Sequence, residues 1–274
     1  MEESVWDKYW KKQPEIEVEN IIMNDPYYRL LKRLIKLPQN KRLRILEVGC
    51  GSGTRTLALL KDFEEYHLNA VFVDLSLPAL SFAKRSADNN KITADFILAD
   101  AFNLPFPDET FDIVWNEGVN EHFEGEKRQK IFDEMARVCK VGEAVIVIVP
   151  NALNLPYRIT KKILEMRNQW IYGFEEPYTI FELRRRMGDA GITPSKSGGA
   201  QIITSLFTFL ELIHSEASPK KKENVNTLES NRSMSKIKGL LKILRRIDES
   251  LEKVVGAFFG KDIGVEGVKN AKSK

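Results

Sequence analysis

Glu47 stands just before glycines 49, 51 and 53, and Asp74 follows the turn by about 20 residues. At that distance a carboxylate can take the two hydroxyls of a ribose. Asp100, beside Ala101, lies one strand further along, placed for an adenine edge. Glycines are required where φ must be positive, or where a Cβ would hold a ligand away from backbone N–H groups. A loop that cradles phosphates would not carry Glu47, because like charges repel. A cation, or a ligand with an amine and hydroxyls, suits it. A nicotinamide-dinucleotide loop would read Gly-x-Gly-x-x-Gly, whereas these glycines read Gly-x-Gly-x-Gly. A further polar group, Asn116-Glu117-Gly118, precedes Glu121 and His122.

These residues need a scaffold that brings them to one edge. Leu43–Val48 is an apolar run of strand length, and the glycines lead into a helix-compatible stretch, 56–61. Strands are expected at 70–73, 95–98, 111–115 and 143–149, with helices at 78–87 and 127–139 between them. Pro105 and Pro107 keep 104–110 irregular. Strands alternating with helices imply a parallel sheet covered on both faces. Glu47, Asp74, Asp100 and Asn116–Glu117 then all fall at strand ends on the carboxyl edge, where such sheets bind ligands.

The flanks differ. Residues 2–37 read as helical and aromatic-rich, with Trp6, Tyr9 and Trp10 first and a second group resuming at Pro26, capped by Asn24 or Asp25. After the fifth strand, helices are expected at 154–167 and 178–190 and near 206–213. A sixth strand within 192–203 is interrupted by Gly198 and Gly199, and 263–268 closes the sheet. Residues 215–233 are polar and lysine-rich and read as a flexible linker. An amphipathic helix over 234–259 follows, with basic residues gathered before and along its first half.

Composition sets broad bounds. The chain has 274 residues, 43% hydrophobic, enough for a full core. A net charge of +3 is too slight to argue for a nucleic-acid partner. Two cysteines, Cys50 and Cys139, make no disulfide framework and fit a reducing, cytoplasmic setting. The acidic start, Met-Glu-Glu-Ser-Val-Trp, lacks the apolar region of a signal peptide. No run approaches the roughly 20 apolar residues of a membrane span. His67, His122 and His214 are scattered, so no metal site is expected.

Taken in order, Glu-Val-Gly-Cys-Gly-Ser-Gly, Asp74-Leu75-Ser76, Ala99-Asp100-Ala101, Leu-Pro-Phe-Pro-Asp-Glu-Thr-Phe-Asp-Ile-Val and Glu117-Gly118-Val119-Asn120-Glu121-His122-Phe123 resemble the class I S-adenosylmethionine-dependent methyltransferases. The likeness is to their small-molecule group (methyltransferase type 11-like), strong over 43–150 and looser over 174–200. It implies a Rossmann-like seven-stranded sheet, mostly parallel with its last strand antiparallel. Helices would cover both faces, with an N-terminal helical lid and a C-terminal helical insertion. The expected division is one domain: lid 1–40, core 41–203, insertion 204–258, final strand and tail 259–274.

The resemblance also implies roles. Glu47 would hold the amine of S-adenosylmethionine through water or backbone, and Gly49, Cys50, Gly51 and Gly53 would let the cofactor lie on the loop. Asp74 would bind the ribose and Leu75 would pack on adenine. Asp100 and Ala101 would meet the adenine edge, and Asn116 and Glu117 would line the methionine end. The family's frequent Pro-Gly-Gly before the fifth strand is replaced by Lys140-Val141-Gly142-Glu143, which keeps the glycine the turn needs.

The implied reaction transfers a methyl group to a small-molecule or lipid-linked acceptor, at oxygen or carbon rather than nitrogen, leaving S-adenosylhomocysteine. His122 and Glu121 are the candidate catalytic groups, and Trp10 with His122 the candidate acceptor contacts. His122 could equally serve as a helix-start residue that orients its loop. An apolar stripe with basic residues over 219–259 fits peripheral contact with an anionic membrane, against the simpler reading of a solvated charged face. A scaffold or sensor that binds the cofactor without catalysis is the alternative function.

Overall fold

A computed structural model describes residues 4–14, 16–38, 41–217 and 246–271. Its centre is a seven-stranded sheet in the order β3-β2-β1-β4-β5-β7-β6. The strands are β1 (Leu43–Val48), β2 (Leu68–Asp74), β3 (Asp95–Leu98), β4 (Phe111–Glu117), β5 (Cys139–Pro150), β6 (Ile192–Ala200) and β7 (Asp262–Lys269). β7 pairs antiparallel with both neighbours, and the remaining ladders are parallel. The inner strands are buried along nearly their whole length, Arg44 at the start of β1 excepted, because helices cover both faces.

One face packs on α3 (Pro26–Leu34), α4 (Thr54–Asp62) and α5 (Leu77–Asn89), and the other on α6 (Glu126–Val138) and α8 (Ile180–Asp189). Each helix start has a sequence cause. Asp25 accepts from the Tyr28 N–H with Pro26 in the first turn, and Ser76 caps α5 in the same way with Pro78. Asn154 and Thr179 cap α7 (Leu155–Met166) and α8. The front of the chain forms α1 (Val5–Trp10) and α2 (Val18–Asn24) before α3, matching the expected helical preface.

Two strands depart from expectation. β5 begins at Cys139, directly after α6, and reaches the expected apolar run through an irregularity opposite Phe111 and Ile113, with Gly142 at φ 79°. Gly198 and Gly199 do not interrupt β6; they lie inside it. A Cβ on Gly199 would stand 2.0 Å from the Gly256 carbonyl oxygen, so the pair of glycines lets residues 246–259, which are helical, pass against the sheet.

The insertion is tied down by acids. Asp248 accepts from the Ile203 and Thr204 N–H groups at the start of α9 (Ile202–Ala217), and Glu252 accepts from the Gln201 N–H and from Arg33. Carboxylates at a helix N-terminus satisfy its orphan donors and oppose its dipole. Asn151 donates to the carbonyls of Phe258 and Gly260, and Asn154 to that of Phe259. The start of β7 is thereby delivered to the carboxyl edge of the sheet. The expected linker over 215–217 is the last turn of α9, while 218–233, and the expected helix over 234–245, lie outside the described residues.

Candidate functional site

The carboxyl ends of β1, β2, β4 and β5, the segment after β3, and the start of β7 enclose a cavity of 490 Å³ roofed by α1. At one end lies the glycine turn. Gly49 and Gly51 have φ of 67° and 53°; a Cβ on Gly49 would lie 2.5 Å from Val119, and one on Gly51 2.4 Å from the Trp10 ring. The turn is fixed to β2 by the Cys50 N–H to the Val73 carbonyl, 2.9 Å, and by the Gly51 N–H to Asp74, 2.8 Å. Asp74 also accepts from the Ser76 N–H through its other oxygen, 2.8 Å. A carboxylate offers about four acceptor sites, so these bonds leave Asp74 capacity to accept from a ribose hydroxyl. Burial raises the Asp74 carboxyl, and the backbone N–H groups of Ser76 and Gly51 oppose the rise.

Glu47 is 6% exposed, and one of its oxygens has no partner. Burial pushes its pKa up to about 8, against a hydrogen bond from Thr56. Leu75, Asp100 and Ala101 line the same end, and Asp100 is held by the Phe102 N–H at 2.9 Å. Trp10 closes over Gly51, and Asp7 of the same helix accepts from the Ser76 hydroxyl at 2.6 Å. The lid is thus latched to the β2 end that carries Asp74.

Two expected cofactor residues do not line the cavity. Gly53 is the N-cap of α4, and its φ of 62° and its closeness to Phe72 and Ala83 make it a packing glycine. Asn116 is fully buried on the opposite face of β4, donating to Asn120 and contacting Met135 of α6. Side chains alternate along a strand, so Glu117 faces the cavity and its neighbour cannot.

The other end of the cavity joins residues far apart in sequence. Glu117 meets Arg55 at 3.3 Å, and Arg55 also makes paired bonds to Asp25 at 3.1 and 3.0 Å. Lys261 donates to the Tyr27 hydroxyl at 3.1 Å and lies 3.8 Å from Asp262. Tyr157 donates to Glu175. Burial raises Glu117 and Glu175 to about 7 and pushes Asp262 up as well.

Glu121 is 2% exposed with one unpartnered oxygen, and burial pushes it well above the ordinary carboxylate range. The other oxygen lies 3.9 Å from His122 Nε2. His122 Nδ1 is 2.7 Å from the Phe174 carbonyl. A carbonyl only accepts, so Nδ1 carries the proton and Nε2 presents its lone pair. Burial lowers the pKa of His122, keeping the imidazole neutral.

The loop holding His122 is clamped by Arg128 on α6. Its guanidinium donates to the Tyr178 hydroxyl at 2.7 Å, the Glu176 carboxylate at 2.7 Å and the Glu176 carbonyl at 3.1 Å. The Glu176 N–H donates in turn to the Glu121 carbonyl. Trp6 stands edge-on to His122, with ring centroids 4.9 Å apart, and contacts Tyr172, which also meets Tyr9 and Trp170.

Sequence reading missed Tyr27, Arg55, Tyr157, Tyr172, Glu175 and Lys261. Only Arg55, just after the glycine turn, had a signal in its position. The cavity residues fit the implied cofactor: a glycine cradle, an unpartnered Glu47 oxygen for an amine, and an Asp74 with acceptor capacity for a diol.

Comparison with known proteins agrees. The family model described as a methyltransferase domain matches residues 45–142. An uncharacterized protein of Methanocaldococcus jannaschii is 30% identical over 188 residues, 64% of this chain and 76% of that protein. The phosphoethanolamine N-methyltransferase of Triticum aestivum is 29% identical over 104 residues, 38% of this chain, and the match spans only 20% of that enzyme. Among solved structures, a methyltransferase complexed with the Haloferax volcanii Trm112 activator superposes with a TM-score of 0.62. That pair is 16% identical, over 99% of this chain and 100% of the other, a likeness of fold.

The chain belongs to the class I S-adenosylmethionine-dependent methyltransferases, and its cofactor is S-adenosylmethionine.

Proposed function

We propose that this protein transfers a methyl group from S-adenosylmethionine to a small-molecule acceptor entering beside Glu121 and His122. The observation that carries the reading is the pairing, in one cavity, of a donor end built from Glu47, Gly51 and Asp74 with a second end holding a buried neutral histidine. When bound, the cofactor supplies a methyl on a sulfonium, whose carbon–sulfur pair returns to sulfur as the acceptor's lone pair forms the new bond.

The chain's own work is then placement and proton handling. Asp74 and the glycine turn fix the donor, α1 excludes water, and His122 Nε2 takes the acceptor's proton where it has one. The Phe174 carbonyl holds the His122 tautomer that permits this. The acceptor atom is a separate matter. The expected preference for oxygen or carbon gains nothing from the matched wheat N-methyltransferase.

Peripheral contact with an anionic membrane remains part of the reading. Helical residues 246–259 expose Ile247, Leu251, Val254 and Phe258 at helical spacing, and α7 exposes Leu155, Ile159 and Met166. Exposed apolar residues at helical spacing are what such a contact would use. The basic residues expected to accompany it between 220 and 245 lie outside the described residues. Among the described residues no helix is long and apolar enough to cross a membrane.

Calorimetry with S-adenosylmethionine and S-adenosylhomocysteine tests the donor end, and wild type that binds neither sinks the reading. Methyl transfer from labelled cofactor into a metabolite extract tests catalysis and separates it from a cofactor-binding scaffold. Flotation with anionic vesicles tests the membrane contact, which fails if the protein stays with the unbound fraction.

A further inference from the structure

We propose that the methyl acceptor is a cationic amine, held at the Glu121 end of the cavity by buried carboxylates and by the aromatic rings of the lid and the 170–172 segment. This rests on the methyltransferase reading above.

Without such a ligand the cavity can hold its surplus acids only by protonating them. Glu47, Asp74 and Asp100 are accounted for by the amine, ribose and adenine of the donor. Four acids remain at the other end: Glu117, Glu121, Glu175 and Asp262. Among the described residues only Arg55 and Lys261 bring full positive charge to the lining, and both are engaged. Arg55 is held by Asp25 and Glu117, and Lys261 by Tyr27 and Asp262. Neither is paired with Glu121, which is buried with one oxygen unsatisfied. The donor's sulfonium and carboxylate offset each other and leave this excess in place.

A buried, unpaired carboxyl is satisfied by a proton or by a cation. Burial raises all four acids, the protonated solution. An ammonium displaces that proton and gains Coulomb attraction in a medium of low dielectric. A hydroxyl acceptor would accept or donate one hydrogen bond and leave the charge uncompensated. The rings of Trp6, Tyr9, Trp170 and Tyr172 line the same cavity. Their π-faces attract cations and carry no formal charge of their own. Carboxyls and aromatic rings in one chamber suit an ammonium group; a phosphate or carboxylate would be repelled.

The proton balance follows. The acceptor enters as an ammonium ion and gives one proton to His122 Nε2, becoming an amine with a free lone pair. That pair forms the nitrogen–methyl bond as the methyl–sulfur bond breaks, its electrons staying on sulfur. The positive charge lost at sulfur reappears on the methylated nitrogen, and the imidazolium releases its proton to solvent.

The test compares cations with neutral molecules of the same shape. Protein loaded with S-adenosylhomocysteine, where no turnover occurs, is titrated by calorimetry with benzylamine against benzyl alcohol, and with choline against 3,3-dimethylbutan-1-ol. Each cation is expected to bind at least about tenfold tighter than its neutral partner, a preference that E121Q abolishes. Glutamine has the shape of the protonated acid that burial favours, so E121Q is expected to keep its melting temperature and its S-adenosylhomocysteine affinity. E175Q, a second variant, should weaken the preference less.

Equal binding of cation and neutral partner, no binding of either cation, or an unchanged preference in E121Q overturns the proposal. Failure of wild type to bind S-adenosylhomocysteine would instead overturn the reading beneath it.

Discussion

The two ends of the cavity are built by different means. At the donor end the polar side chains rest on backbone: Asp74 on the N–H groups of Gly51 and Ser76, Asp100 on that of Phe102. At the acceptor end they rest mostly on one another, as Arg55 does on Glu117 and Lys261 on Tyr27. Backbone amides at strand ends are placed by the sheet itself, so the donor end is formed before any ligand arrives. Side-chain networks carry buried charge that needs a partner, and each unpaired member costs stability. The difference predicts a rigid donor site and an acceptor site that responds to what it binds.

The strongest way to break this contrast is at Arg128. Its side chain is 3% exposed and ties α6 to the loop that orients His122. Arg128→Ala is expected to lower unfolding stability by about 3 kcal/mol, through the loss of several charge-assisted hydrogen bonds. Denaturant unfolding measures it. S-adenosylhomocysteine affinity should stay within about threefold under native conditions, as the donor end does not depend on that clamp.

His122→Ala comes next. Loss of the base should reduce kcat by about 10²-fold with donor affinity unchanged. A reduction of donor affinity to the same degree would show that the two ends are not separable. Asp74→Ala is the mirror experiment. It removes the diol contact and the Gly51 anchor, and should weaken S-adenosylhomocysteine roughly 30-fold, about 2 kcal/mol. Calorimetry reads it, and undiminished binding would remove the ribose assignment.

The smallest effect is in pH. His122 accepts a proton only when neutral, and burial holds its pKa below the ordinary 6.5. The rate should therefore be level near neutrality and fall as pH drops through that lowered value. An acid limb centred above 6.5 would mean that His122 is not the group responsible.

The same contrast explains what the sequence reveals. β1 and β3 have the bounds expected from their apolar runs, and Glu47 within β1, Asp74 at the end of β2 and Asp100 just after β3 are legible because each lies in or beside the strand that places it. Asn116 is not separable from Glu117 by sequence, because the end of β4 reads as a polar pair, and only facing in the sheet turns Asn116 to Met135 and Glu117 to Arg55. Gly198 and Gly199 read as a break because what they make room for, Leu30 beside one and Gly256 beside the other, is set by segments distant in the chain. Lys261 and Tyr27 are 234 positions apart, and no local pattern announces such a pair. What one strand and its turn decide can be read locally; what needs two distant elements to meet cannot.

Ala200 and Asp262 are direct partners across the β6–β7 ladder. The chain leaves the sheet after one and rejoins it at the other, so everything between them is a detour that starts and finishes at the same point in space. Lengthening such a detour carries a closure cost that grows only with the logarithm of its length, about 0.6 kcal/mol per doubling. The sheet and the donor turn are therefore insulated from changes within 201–261. A lineage could exchange that segment while inheriting the methyl-donor machinery intact, since among the described residues Lys261 alone of 201–261 lines the cavity.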